Sequence, residues 1–333
     1  MYKILTIVIP TYNMEKYLRR CLDSLIISDK ALFEKLEVLV VNDGSKDSSS
    51  EIAHEYEEKY PNVFRVIDKE NGNYGSCVNR GKKEAIGKYF RILDADDWFD
   101  TPQLQKFLSL LSEEETDVVI TNYTRHFNDK QMLIKMDVEY NKPFAIDGYD
   151  FSSKDYCSML LMHAMTYKTE LLNKIEYVQQ TGISYTDIEY CYFPFSKADK
   201  MVFFDINLYQ YWLGRDGQTM QRSNVIKNVG NFDKVATRII NDYLSHLNDN
   251  KNRRLPLLYI ISNPLSQIYA ISLLYQSKPT TQQYEILKRI DGLVRSESSL
   301  AHYVNAYTYR KIPYVWLWHI FGVRVGRWIS KYV

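Results

Sequence analysis

Three carboxylates stand within four residues, Asp94-Ala95-Asp96-Asp97, directly after the short run from Tyr89 to Leu93. Carboxylates so close repel one another unless a cation or a basic group lies among them. On a tight turn they are hard oxygen ligands suited to Mg²⁺ or Mn²⁺, ions that also bind phosphate oxygens. The residues alone leave open a solvated acidic turn or a helix start, where Asp is favoured. Asp43 closes a second apolar run, Leu36 to Val41. A carboxylate there can accept from a base N–H or a ribose hydroxyl. The same stretch, Asn42-Asp43-Gly44-Ser45, is also good turn chemistry.

The elements that carry these residues alternate. Leu5 to Pro10, Leu36 to Val41, Val63 to Ile67 and Tyr89 to Leu93 read as buried strands. Glu15 to Ile27, Ser48 to Tyr60 and Val78 to Ile86 read as helices between them, with Gly87 as a C-cap and Asn71 to Gly75 as a loop. Such alternation predicts a mostly parallel sheet with helices on both faces. Ligands of such sheets bind beyond the carboxyl ends of the strands. Thr11-Tyr12-Asn13, Asn42-Asp43-Gly44 and the acidic cluster all fall at such ends, so three elements point at one crevice. Further on, Gln103 to Leu111 reads as a helix, Asp117 to Asn122 and Met201 to Trp212 as strands, and Asp187 to Phe195 as a helix. From Ile226 the pattern is helical, which sets a boundary near Ser223.

The bulk composition excludes several classes. The 333 residues carry 42 Lys and Arg against 41 Asp and Glu, a net charge of +1 that argues against nucleic acid. No GxGxxG follows the first strand and no GxxxxGK[ST] occurs, which excludes dinucleotide-cofactor and P-loop readings. Cys21, Cys77, Cys157 and Cys191 form no CxxC pair and read as thiols of a reducing compartment. The start at Met1-Tyr2-Lys3-Ile4 lacks a secretory pattern, and no apolar run is long enough to span a bilayer. A cytoplasmic protein is expected.

The tail differs from the rest. After Glu297 no acidic residue occurs, while Arg310, Lys311, Arg324, Arg327 and Lys331 do, together with Trp316, Trp318 and Trp328. This suits an interfacial helix over 310–333 on the inner face of the cell membrane. A helix packed on the protein's own core, or on a second subunit as a homodimer, is the alternative.

The first hundred residues resemble the family 2 glycosyltransferases of the GT-A fold, of the bacterial polysaccharide type. The resemblance rests on Ile7-Val8-Ile9-Pro10-Thr11-Tyr12-Asn13, Val40-Val41-Asn42-Asp43-Gly44-Ser45-Lys46-Asp47, and Asn71-Gly72-Asn73-Tyr74-Gly75 with Asn79 and Gly81. It continues through Gly87-Lys88-Tyr89 to Leu93-Asp94-Ala95-Asp96-Asp97 and, more loosely, Thr186-Asp187 and Arg215-Asp216-Gly217-Gln218-Thr219. It implies a Rossmann-like GT-A domain over 1–222, with a nucleotide half to residue 100 and an acceptor half beyond, then a helical region over 223–333. It implies an inverting hexosyltransferase using a nucleotide-sugar, a UDP-sugar, with Mn²⁺ or Mg²⁺. The acceptor would be a saccharide or lipid-linked.

By the same resemblance Pro10, Thr11 and Tyr12 line the nucleobase pocket, Asp43 binds the base, and Asn79 belongs to the donor site. Asp96 contacts the ribose or sugar, Asp97 ligates the metal, and Arg215 adds charge near the diphosphate. Asp187 is the catalytic base. Asn42 stands where the family usually has Asp, and Thr186 where many members have Glu. His163 and Lys168 are weaker candidates for phosphate contacts. A sugar-phosphate nucleotidyltransferase would need a Gly-rich basic loop after strand one, which Pro10-Thr11-Tyr12-Asn13 does not offer. A non-catalytic binding protein would not need Asp43, Asp96, Asp97 and Asp187 together.

Overall fold

The apolar runs do form the strands, and they are buried: Ile7, Val8, Ile9 and Val38 to Val41 are without exposure. The computed structural model describes residues 2–128, 130–175, 177–215, 218, 221–247, 253–276 and 279–322. The expectations placed on Asp216, Gly217, Thr219 and the residues beyond Gly322 lie outside these. The chain divides into two compact units, Met1–Arg215 and Asp216–Val333.

The first unit runs β1 (Leu5–Thr11), α1 (Leu18–Asp23), α2 (Lys30–Phe33), β2 (Leu36–Asn42), α3 (Ser49–Lys59), β3 (Phe64–Asp68), α4 (Asn73–Glu84) and β4 (Tyr89–Ile92). It continues with β5 (Trp98–Phe99), α5 (Thr101–Glu113), β6 (Val118–Phe127), β7 (Lys130–Ile134), β8 (Phe144–Ala145), β9 (Met165–Lys168), α6 (Thr169–Lys174), α7 (Asp187–Lys197) and β10 (Lys200–Leu213). One sheet joins them in the order β3-β2-β1-β4-β9-β6-β10-β5, with β7 on β6 and β8 on β10. The nucleotide half β3-β2-β1-β4 is parallel throughout, and β6 and β10 are parallel to each other. Strand β9 runs antiparallel to both β4 and β6 and so joins the two parallel parts. This is the expected GT-A fold.

Two local readings change. The helix expected from Glu15 to Ile27 shortens to α1, because the residues before it are held elsewhere. The N–H groups of Asn13, Met14 and Glu15 donate to the side chains of Ser45, Ser49 and Asp47 at 3.0, 2.7 and 3.0 Å. Gly87 is not a helix cap. α4 starts earlier, at Asn73, and ends at Glu84 with Ala85 extended. Gly87 lies instead against β1, where a Cβ would stand 2.5 Å from the Thr6 nitrogen, and its N–H donates to Thr6 Oγ1 at 2.9 Å.

The second unit is helical: α8 (Arg222–Lys227), α9 (Val229–Ser245), α10 (Arg254–Leu273), α11 (Thr281–Arg295), α12 (Ser298–Asn305) and α13 (Tyr314–Phe321). α9 buries a stripe at helical spacing, Phe232, Val235, Ala236, Ile239, Ile240 and Tyr243. Most of α10 is buried, which places it at the centre of this unit. A capping box between Thr280 and Gln283 starts α11.

Asn42 shows why an amide suits the end of β2. Its Nδ2 donates to Asp68 Oδ1 on β3 at 2.7 Å, and its Oδ1 accepts from Ser45 N–H at 3.2 Å. An Asp here would set two carboxylates face to face and leave an acceptor without a donor. Asn42→Asp should therefore lower stability by about 1–3 kcal/mol in urea unfolding. An unchanged midpoint would mean that the β2–β3 bond contributes nothing.

Candidate active site

The acidic loop leaves the carboxyl end of β4 as a tight turn, with Asp97 N–H bonded to the Asp94 carbonyl at 3.0 Å. Strand β10 grips this turn from far along the chain. Tyr209 Oη donates to Asp97 Oδ2 at 2.7 Å and accepts from Asp94 N–H at 3.2 Å. The Trp212 N–H donates to Asp97 Oδ1 at 2.8 Å. From α4, Tyr74 Oη donates to Asp94 Oδ1 at 3.0 Å. Burial pushes both carboxyls up, Asp94 further by the charges of Asp96 and Asp187, and Asp97 by those of Asp96 and Asp94. The pair is thus poorly disposed to carry two negative charges without a cation.

A third ligand reaches the same place. Ligand atoms of Asp94, Asp97 and His163 all lie within 4.8 Å of one another. His163 Nδ1 is buried and, among the described residues, has no hydrogen-bond partner. Burial, with Arg125 and Arg91 nearby, pushes this imidazole down to about 3, so it is neutral and able to ligate. Its ring lies against Tyr211, centroids 4.0 Å apart, and edge-on to Tyr209 at 4.9 Å. Its carbonyl is held by Arg91, which is fully buried in β4 and also donates to Thr166 Oγ1 at 2.7 Å. Two carboxylates and one neutral imidazole fit a divalent cation, and the imidazole favours Mn²⁺ over Mg²⁺.

Asp96 faces a different partner. It forms an ion pair with Arg215, whose guanidinium also sits over the Tyr17 ring at 5.1 Å. The Asp96 carbonyl accepts from Arg20 at 2.6 Å, and Arg20 lies between the rings of Trp98 and Trp212 at 4.0 and 4.5 Å. The acidic cluster is therefore divided, with Asp94 and Asp97 toward His163 and Asp96 toward Arg215.

At the ends of β1 and β2, Asp43 N–H bonds the Thr11 carbonyl at 2.8 Å, which sets these two strand ends side by side. Pro10 is half-buried, Thr11 is buried and Tyr12 is 46% exposed, as a residue open to a ligand would be. Asp43 is buried, and its Oδ1 accepts from Gly72 N–H at 2.9 Å and from Lys69. Lys69 and the Gly72 amide fix the rotamer of Asp43.

The segment leading to Asp187 is clamped by two helices. Asn79 on α4 donates to the Gln179 carbonyl at 2.9 Å and accepts from its N–H at 2.8 Å. Gly75, also on α4, allows this approach, since a Cβ there would stand 2.1 Å from the Gln180 carbonyl oxygen. On α7 Glu189, fully buried, accepts from Gln180 N–H at 2.8 Å and from Gln180 Nε2 at 2.6 Å. Asp187 is the first residue of α7. Burial pushes its carboxyl up to about 6, although the backbone N–H groups of Asp187 and Ile188 bond it. Its charge is felt at Asp94 and at Tyr74, so it stands beside the acidic loop.

Of the sequence candidates, Asp96, Asp97, Asp187 and Arg215 thus gather around one centre. Pro10, Thr11, Tyr12 and Asp43 gather at the neighbouring strand ends. The Asn79 side chain is engaged by the loop backbone. Lys168 lies apart: it pairs with Glu115 and sits opposite Tyr89, at the amino end of β4. Asp94 and His163 carry more than the sequence indicated. No spacing rule links His163 to a cluster so far upstream; its only signal was a histidine in an apolar segment.

Residues 6–175 match the family model described as Glycosyl transferase family 2. The putative glycosyltransferase EpsH of Bacillus subtilis is 30% identical over 193 residues, 54% of this chain and 54% of that protein. The minor teichoic acid biosynthesis protein GgaB of the same organism is 24% identical over 340 residues, 98% of this chain and 36% of that protein. The chain thus spans about half the length of EpsH and less of GgaB. Among solved structures, S. aureus TarS 1–349 in complex with UDP-GlcNAc superposes with a TM-score of 0.67 at 18% identity, over 98% of this chain and 90% of that one. With more than half of its length matched by the family model, this chain belongs to glycosyl transferase family 2.

Proposed function

We propose that the chain moves one sugar from a UDP-sugar to a hydroxyl of a saccharide or lipid-linked acceptor, with inversion at the anomeric carbon, in the synthesis of a surface polysaccharide or teichoic acid-like polymer. The observation that carries this reading is the meeting of Asp94, Asp97 and His163 beside Asp187, at the carboxyl ends of the strands. The UDP bound by TarS and the polymer named for GgaB support the donor and the product class.

Each residue then has a task. Thr11, Tyr12 and Asp43 hold the base, with Pro10 shaping the end of β1. Asp94, Asp97 and His163 hold a divalent cation, Mn²⁺ or Mg²⁺, which neutralises the diphosphate leaving group. Asp96 meets the ribose or sugar, and Arg215 beside it adds positive charge near the diphosphate. Asp187 accepts the proton of the acceptor hydroxyl as that oxygen bonds to the anomeric carbon and the carbon–phosphate oxygen bond breaks. No second acid is needed, because a neutralised nucleoside diphosphate leaves without protonation, unlike the leaving group of a glycosidase. Asn79 and Glu189 fix the backbone that carries the base.

In calorimetric titration, UDP should bind about tenfold or more tightly with Mn²⁺ than with a chelator. Equal affinity would remove Asp97 and its neighbours from the role of metal ligands. His163→Ala should weaken Mn²⁺ itself by about tenfold or more, read by the spin signal of free Mn²⁺, with the unfolding midpoint kept. Unaltered Mn²⁺ affinity would return His163 to a packing role.

Asp187→Asn should bind UDP as the parent does and lose transfer by about a hundredfold or more. Retained transfer would send the search for the base elsewhere. A base must be ionised to act, and the carboxyl of Asp187 lies at about 6. The transfer rate should therefore be full above that pH and fall as pH drops through it. A rate that is flat down to pH 5 would exclude Asp187 as the titrating group.

A further inference from the structure

The last helix among the described residues, α13, is packed along one side and exposed along the other. On α13, Tyr314, Val315 and Trp318 are buried at 4%, 0% and 9% exposure. Trp318 meets Tyr269 of α10 edge-on, with centroids 6.1 Å apart. His319 is held at both ring nitrogens, by Asn305 Oδ1 at 2.7 Å and Asp291 Oδ1 at 2.6 Å. The helix is thus seated, and its register is set. Its other side presents Trp316, Ile320 and Phe321, which are 46%, 52% and 59% exposed. Residues 316 and 320 are one helical turn apart and so share a face.

A cationic turn precedes this face directly. Arg310 and Lys311 both adopt positive φ, 48° and 68°, between Tyr309 and Ile312. Those two residues close the turn by mutual backbone bonds of 2.9 and 2.8 Å. Both basic residues are exposed. The tight turn therefore fixes two cations at the start of an apolar face. The amino-acid sequence adds Arg324, Arg327 and Lys331 after it, and no Asp or Glu follows Glu297.

We propose that this end of the helical unit docks on an anionic lipid surface, with Trp316, Ile320 and Phe321 entering the headgroup region and Arg310 and Lys311 meeting lipid phosphates. Charge decides between this occupant and a second copy of the chain. Two copies would bring like-charged basic segments together, whereas an anionic bilayer complements them. Tryptophan is also favoured at the membrane–water interface. Among the described residues no helix is long and apolar enough to cross a membrane, so the contact lies on the bilayer and not through it. The inference stands apart from the transfer chemistry and would hold or fail whichever sugar is moved.

Co-sedimentation of the full chain with vesicles tests it. The parent should partition onto phosphatidylcholine vesicles containing phosphatidylglycerol, and about tenfold or more weakly onto phosphatidylcholine alone. Arg310→Glu with Lys311→Glu should cost about tenfold or more of that partitioning. Trp316→Ser with Ile320→Ser and Phe321→Ser should cost at least as much, with the unfolding midpoint of both variants close to the parent's. A parent that stays in solution, or variants that sediment like it, would overturn the proposal. So would light scattering that shows a dimer of the parent abolished by the serine variant, since the face would then belong to a second copy.

Discussion

Holding Asp94, Asp96 and Asp97 side by side, the first half-buried and the other two buried, is the constraint on which the rest of this unit depends. An uncompensated buried charge costs several kcal/mol, and neighbouring like charges add to that. The fold offsets the cost by bringing donors from distant segments. Tyr209 and Trp212 reach Asp97 from 112 and 115 residues away, and Arg215 reaches Asp96 from 119. Strand β10 is thereby tied to the end of β4 by side-chain and backbone bonds, although β9 and β6 stand between these strands in the sheet. His163 stands with Asp94 and Asp97, and the three ligand atoms lie close enough to one another for a single cation.

The same constraint explains the chemistry of the surroundings. A histidine that ligates a metal must be neutral, and burial first, then the nearby cations Arg125 and Arg91, keep His163 so. Arg91 is bonded to carbonyl and hydroxyl oxygens, among them those of His163 and Thr166, and it lies near the rings of Phe99 and Phe107. A carboxylate there would have neutralised the cation and removed its influence on the imidazole. The imidazole thus feels the positive charge of Arg125 and Arg91 while the carboxylates of Asp94 and Asp97 lie within reach of its ring.

Much of this was legible in the sequence, and for identifiable reasons. Residues 7–9 and 38–41 are unbroken apolar runs, so the central strands could be read, and the polar residues at their ends followed. Asp96, Asp97 and Asp187 were legible because their neighbours resemble a known pattern. His163 was only faintly so, because its role depends on β9 and β6 folding back beside β4, a contact that local periodicity does not carry. Gly87 was misread for a related reason: glycine after a helical stretch suggests a cap, whereas here it serves the close approach of a strand. The tail was read as membrane-facing, core-packed or packed on a second subunit. The structure assigns one face of α13 to the core and leaves the other exposed, a division that requires knowing which side Trp318 takes.

Helix α4 joins the acidic loop to the segment before Asp187 more directly than the chain order suggests. Its first turn supplies Tyr74 to Asp94. One turn further, Asn79 holds the backbone of Gln179, in the segment that leads to Asp187. Gly75 between them permits the contact by having no side chain. Glu189 completes the clamp from the helix that Asp187 itself begins. A shift of α4 along its axis would therefore move the acidic loop's donor and the support of the segment before Asp187 together. Positioning of this kind matters because misplacement by about 1 Å can cost roughly a hundredfold in rate. One helix, α4, thus supports both the acidic loop and the segment leading to Asp187.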